Sequence, residues 1–294
     1  MSTRPGACLF VLGNDYHLGD LLWFTAVLRS YRRQWHPDAV IVVCPDRPIS
    51  RILEHNPLID DVRYGEPAPM LAALRSTCAG QLMLHDLRVL PLGLAMVRQW
   101  IRRWPWLYYR DLWLEARGQW LATFLGLGPL ADGRPVLELR DEDRVASRSL
   151  RRPYVVLAPH IGAYSVPLTG RIWRRLKAWP APRWTRLAQQ LRLDGFEPVT
   201  LAGPEQAPVP GTRPLIGLPI REAAGVIESA ATLVSGESGL WFVAAALETP
   251  FVIVPWWLPR SVDWAAAMGT SYRLVYRDTA SVSTVLEHVR DLAR

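Results

Sequence analysis

His17-Leu-Gly-Asp-Leu-Leu-Trp-Phe24 places one carboxylate, Asp20, directly behind Gly19, where the apolar run Ala7–Leu12 gives way to helical spacing. An aspartate there has two uses. It caps a helix well, because it accepts from orphan N–H groups and its charge suits the positive end of the dipole. It would also stand at the carboxyl end of the first strand of an α/β sheet, where such folds place their chemistry.

A second segment, Ser235-Gly-Glu-Ser-Gly-Leu240, lies between a short apolar strand and the small-residue stretch Trp241–Leu247. Glycines let a backbone approach a ligand closely, and free amides at a helix start bind anions. The same residues equally suit a tight strand–helix turn packed against a sheet. Four other motifs fail. Asp141-Glu142-Asp143 matches the D-x-D of some metal-dependent enzymes, and hard cations do want clustered carboxylates. It lies in a charged segment and reads as a solvated helix start, so no metal is expected. Gly236-Glu-Ser-Gly lacks the last glycine of a nucleophile elbow, since Leu240 stands there, and only His288 follows it; a serine hydrolase is not expected. Neither G-x-G-x-x-G nor G-K-[ST] occurs, so dinucleotide and P-loop fingerprints are missing.

The elements that must position these residues alternate. Strands are expected at Leu9–Gly13, Ala39–Cys44 and Asp61–Tyr64, with helices at Asp20–Trp35, Ser50–His55 and Met70–Cys78. A long helical region, Arg98–Leu125, carries five tryptophans, and Gly- and Pro-rich residues follow it at 126–135. The alternation then restarts: strands at Tyr154–Ala158, Glu197–Leu201, Thr232–Ser235 and Phe251–Val254, helices at Trp184–Leu193, Arg221–Ser229, Leu240–Leu247 and Val282–Leu292. Continuous apolar strands separated by helices imply parallel sheets covered on both faces. Two such halves give an α/β chain of two doubly wound, Rossmann-like domains facing across a cleft, 1–150 and 151–294, the final helix a candidate to pack back on the first.

The 294 residues suit two domains, and a 50% hydrophobic content excludes a disordered chain. A formal charge of +7 points to an anionic partner. Cys8, Cys44 and Cys78, scattered and odd in number, make no disulfide framework or zinc site. Buried thiols and a cytoplasmic home are expected. Several of the fourteen tryptophans alternate with arginine, as in "RQWIRRWPWLYYRDLW" (98–113). That mixture suits an anionic membrane surface or a sugar- or lipid-binding platform as well as core packing. No nucleic-acid motif accompanies the charge, and no nucleic-acid partner is expected.

Taken in order, the segments resemble the family 9 glycosyltransferases, the group that contains the heptosyltransferases of lipopolysaccharide synthesis. "HLGDLLWFTAVLRSYRRQWHPDAVIVV" is similar to the family's G-D opening; "LEHNPLIDDVRYGEP", "WLATFLGL", "LKAWPAPRW" and "PIREAAGVIESAATLVSGESGLWFVAAALETP" resemble later family segments. The resemblance implies a GT-B fold, acceptor on the first domain, nucleotide-sugar on the second, and metal-independent inverting transfer without a cofactor. The co-substrate would be a nucleotide-sugar such as ADP-heptose, and the acceptor an anionic glycolipid precursor or a secondary metabolite. The protein would be cytoplasmic, at the inner membrane face. Asp20 falls on the family's catalytic aspartate, with His17, Gly19 and His160 on the acceptor side or cleft. Lys177 falls on the diphosphate lysine and Glu222 on the ribose glutamate; Glu237, Ser238, Gly239 and Leu240 fall on the diphosphate-binding turn. Two departures stand out: Glu237 replaces the family's aspartate and Phe242 its histidine. They motivate an alternative, a non-catalytic binding or scaffold protein on the same fold.

Overall fold

The structure, a computed structural model of the chain, describes residues 6–14, 16–66, 68–70, 82–89, 121–122, 125–128, 130, 132–160, 178–256 and 265–294. The chain divides into two compact units, Met1–Glu138 and Leu139–Arg294.

The first unit contains β1 (Ala7–Val11), α1 (Leu18–Trp35), β2 (Ala39–Cys44), β3 (Asp61–Tyr64) and β4 (Leu82–Asp86). Its sheet has the order β3-β2-β1-β4, and every pairing is parallel. β1 and β2 are buried almost throughout, as continuous apolar runs in a two-faced sheet must be. α1 buries Leu21, Leu22, Phe24, Val27, Leu28 and Tyr31, an apolar stripe at helical spacing. His36, in the left-handed region, closes it and donates its N–H to the Arg32 carbonyl at 3.0 Å. The segment expected as a helix from Ser50 is a 3-10 turn, Pro48–Leu53. The expected helices Met70–Cys78 and Arg98–Leu125 fall almost wholly outside the described residues.

The second unit contains β5 (Tyr154–Ala158), α2 (Ala181–Leu193), β6 (Glu197–Ala202), β7 (Arg213–Ile216), α3 (Ile220–Glu228), β8 (Thr232–Ser235), α4 (Leu240–Ala246), β9 (Phe251–Trp256), β10 (Tyr272–Tyr276) and α5 (Val282–Leu292). Its six parallel strands run β10-β9-β8-β5-β6-β7. Renumbered within the unit, that is the doubly wound order 3-2-1-4-5-6. Trp179, Trp184, Leu187 and Leu191 pack with Val155, Val234, Val252, Val285 and Val289 in one core. The terminal helix α5 packs on α2, β9 and β10 of its own unit. Its apolar stripe has a sheet face beside it to cover, and Arg290 ties it to Asp194 at the end of α2 with two 2.7 Å hydrogen bonds.

Asp141–Asp143 differs from the expected solvated helix start. Asp141–Arg144 forms a 3-10 turn in which Asp143 is 5% exposed, paired with a buried Arg221 of α3. Arg221 Nε and Nη2 donate to the two carboxylate oxygens at 3.1 and 2.7 Å, and the Arg140 N–H donates to one of them at 2.8 Å. Arg144 grips Glu228 at the other end of α3. These bonds draw the segment into the second unit, so the division falls ahead of residue 150.

Candidate functional site

In the first sheet the strand order reverses between β1 and β4, the switch point where open α/β sheets bind ligands beyond their carboxyl ends. The loops there are adjacent: a side-chain carbon added at Gly13 would stand 3.5 Å from the Arg88 Cα. Tyr16 donates its hydroxyl to the Leu87 carbonyl at 3.4 Å. Asp20 sits half-buried in the first turn of α1, and its Oδ2 accepts the His17 N–H at 3.0 Å. Capping is therefore real here. His17 is the exposed N-cap residue and Gly19 lies in the same turn.

Beyond β4, Arg88 donates to both oxygens of Asp86 at 2.9 and 2.5 Å, which holds that carboxyl below its ordinary range. Beneath the switch point, Tyr31 Oη lies 2.8 Å from His85 Nε2 and 3.1 Å from Cys8 Sγ, and the His85 ring stacks on Phe10. Burial lowers the His85 pKa and raises that of Cys8.

In the second sheet the switch lies between β5 and β8. The turn after β8 is anchored there: Gly236 N–H donates to the Ala158 carbonyl at 3.1 Å, and the Ser235 and Ser238 hydroxyls are 2.9 Å apart. Glu237 is 9% exposed. Gly239 and Leu240 start α4, whose seven residues give a weak dipole, so the turn's amides rather than the helix carry any anion affinity. Phe242 stacks on the buried Trp241, ring centroids 3.7 Å apart. His160 follows β5, its Nε2 2.8 Å from the Ala207 carbonyl. Glu222 is half-buried in the first turn of α3, which packs on α4. Lys177 lies outside the described residues. His17, Gly19 and Asp20 thus lie at the switch point of the first unit, and His160 with Glu237–Leu240 at that of the second.

No protein-family model matches the chain, and no curated protein matches its sequence. Solved structures do match in fold. The family 9 glycosyltransferase from Veillonella parvula DSM 2008 is similar over 100% of this chain and 98% of its own, with a TM-score of 0.71 at 15% identity. The E. coli ADP-heptose lipopolysaccharide heptosyltransferase II is similar over 98% of each chain, TM-score 0.66, 18% identity. The fold is that of the GT-B glycosyltransferases. The E. coli heptosyltransferase WaaC with ADP is similar over 97% of this chain and 99% of its own, TM-score 0.60, 17% identity.

Sequence reasoning missed what holds the loop ahead of α1. Arg47 donates from Nη1 to the Asn14 carbonyl and, at 3.1 Å, to that of Tyr16. The signal for the Asp86–Arg88 pair was weak: His85 and Asp86 interrupt the apolar run that would have marked β4.

Proposed function

We propose that the protein is an inverting glycosyltransferase that moves a sugar, a heptose or a related hexose, from a nucleotide-diphosphate donor to an acceptor hydroxyl. The observation that carries this reading is a half-buried aspartate at the switch point of the first sheet, in a chain that shares its fold with glycosyltransferases over its whole length. Asp20 would take the proton of the acceptor hydroxyl as its oxygen attacks the anomeric carbon. The bond from that carbon to the diphosphate breaks, and its electron pair leaves on the phosphate oxygen. Such a base contributes about 10²- to 10⁴-fold. The amides of Ser238, Gly239 and Leu240 and the ammonium of Lys177 would meet the diphosphate, where cations and N–H donors offset charge on the leaving group. Glu222 would accept from the ribose hydroxyls, as carboxylates do.

ADP in the WaaC structure makes ADP-sugars the first donors to assay. An anionic glycolipid precursor suits the +7 chain and a peripheral, cytoplasmic-face location. No helix among the described residues is long and apolar enough to cross a membrane. The test is transfer from ADP-, UDP- and GDP-sugars to glycolipid extract. Asp20→Ala is expected to abolish transfer while nucleotide-sugar binding measured by calorimetry persists; unchanged turnover in that variant overturns the role of Asp20. Phe242, stacked where relatives are expected to carry an imidazole, favours one rival: a binding protein on the same fold. Nucleotide binding without transfer to any acceptor would support that rival.

A further inference from the structure

Arg47 stands outside every motif in the sequence, immediately before the 3-10 turn at the carboxyl end of β2. Its backbone is fixed on both sides: its N–H donates to the Pro45 carbonyl and its carbonyl accepts from Ser50, each at 2.9 Å. From that base the guanidinium reaches the loop leaving β1 and donates to the carbonyl oxygens of Asn14 and Tyr16. The nearby carboxylates of Asp46 and Glu54 pair with Arg51 instead.

Loop carbonyls outside the sheet ladder need donors, and an ionised donor bonds them more strongly than a neutral one. The guanidinium fork is also planar and pre-organised, so it imposes geometry as well as attraction. On the opposite side of the same loop, the Tyr16 hydroxyl donates to the Leu87 carbonyl beyond β4. β1 lies between β2 and β4, so its outgoing loop is gripped from both neighbouring strands. The next residue, His17, donates its N–H to Asp20.

We propose that Arg47 is a positioning residue, which by holding the Asn14 and Tyr16 carbonyls fixes the loop into α1 and sets where Asp20 presents its carboxylate. The catalytic consequence rests on the glycosyl-transfer reading; the clamp itself does not. A displacement of about 1 Å at a reacting group can cost about 10²-fold in rate.

The experiment compares Arg47→Ala, Arg47→Lys and, as a control on the same turn, Arg51→Ala. Readouts are steady-state transfer, thermal midpoint and amide hydrogen exchange of the peptides spanning Gly6–Phe24. Arg47→Ala is expected to exchange faster in those peptides and to lose about 10- to 100-fold in kcat, with the donor KM within about twofold of wild type. Arg47→Lys, which keeps the charge and one donor group, is expected to fall between, and Arg51→Ala to behave as wild type. Unchanged exchange, a retained kcat, or a donor KM that rises in step with the loss of rate would each overturn the proposal. Should Arg47→Ala not fold, Arg47→Lys carries the same comparison. If the wild-type protein transfers no sugar, the functional reading fails by itself. Exchange then decides the clamp alone: faster exchange supports it and unchanged exchange overturns it.

Discussion

Asp20 accepts the His17 N–H at the start of α1 and, in the proposed reaction, would also accept a proton from the acceptor. Substitution separates the two uses. Asparagine keeps a carbonyl oxygen for the His17 N–H but is no base. Asp20→Asn should therefore unfold within about 0.5 kcal/mol of wild type while losing about 10²- to 10⁴-fold in kcat. Asp20→Ala should add a capping loss of about 1 kcal/mol. If asparagine retains wild-type turnover, the residue is a cap and nothing more. His85 makes a second residue-level prediction. Burial holds its imidazole below the ordinary pKa, so the unfolded chain binds a proton that the fold excludes. Stability then rises with pH across the interval between the lowered and ordinary values, and is lost as pH falls below about 6.5. Urea midpoints at pH 5.5 and 7.5 should differ less in His85→Gln than in wild type. Burial lowers the His288 pKa too, but that residue is common to both proteins and cancels in the comparison.

At the scale of elements, α3 is held by backbone contact as well as by charge. A Cβ added at Gly225 would lie 2.1 Å from the Asp143 carbonyl oxygen and 2.8 Å from its carbon, both main-chain atoms that cannot swing aside. In an exposed helix Gly→Ala gains about 1 kcal/mol. Here the sign should reverse, with Gly225→Ala losing about 1–3 kcal/mol in denaturant unfolding, the cost of overpacking; a gain would mean that the brace on α3 is loose. Asp143 also marks a limit of reading the sequence. D-E-D in a charged stretch looks solvated, and only the fold brings Arg221 to it across 78 residues. The strands divide in a similar way. β2, β3, β5 and β8 occupy their expected ranges, and β1, β6 and β9 differ only at their ends. β4, β7 and β10 carry no comparable signal, and among the described residues all three stand at an end of their sheets. Pro214 breaks the apolar run in β7, as an end strand allows, and His85-Asp86 break it in β4. Asp20 was legible because a glycine and a helix start mark it. Arg47 was not, because its partners are main-chain carbonyls that no residue type announces.

At the scale of the molecule, two units with separate switch points predict a divided response to ligand. A nucleotide held by the turn after β8 and by Glu222 would stabilise the second unit by mass action, about 2.7 kcal/mol at a hundredfold excess over Kd. A chain of net charge +7 attracts any polyanion, however, so binding alone does not identify a site. Two conditions separate specific from diffuse attraction. At 0.15 M salt the screening length is about 8 Å, which suppresses long-range attraction to exposed charge but spares a fitted site. Inorganic pyrophosphate offers the charge of the diphosphate without a ribose for Glu222. With ADP in the full-length protein, slowed amide exchange is expected after β5 and β8 and in the first turn of α3, with residues 13–20 and 86–88 unchanged. Pyrophosphate should protect the turn after β8 but not α3. Protection by ADP at residues 13–20 would instead reverse the assignment of the units, making the Asp20 switch point the donor site and leaving the acceptor to the second sheet.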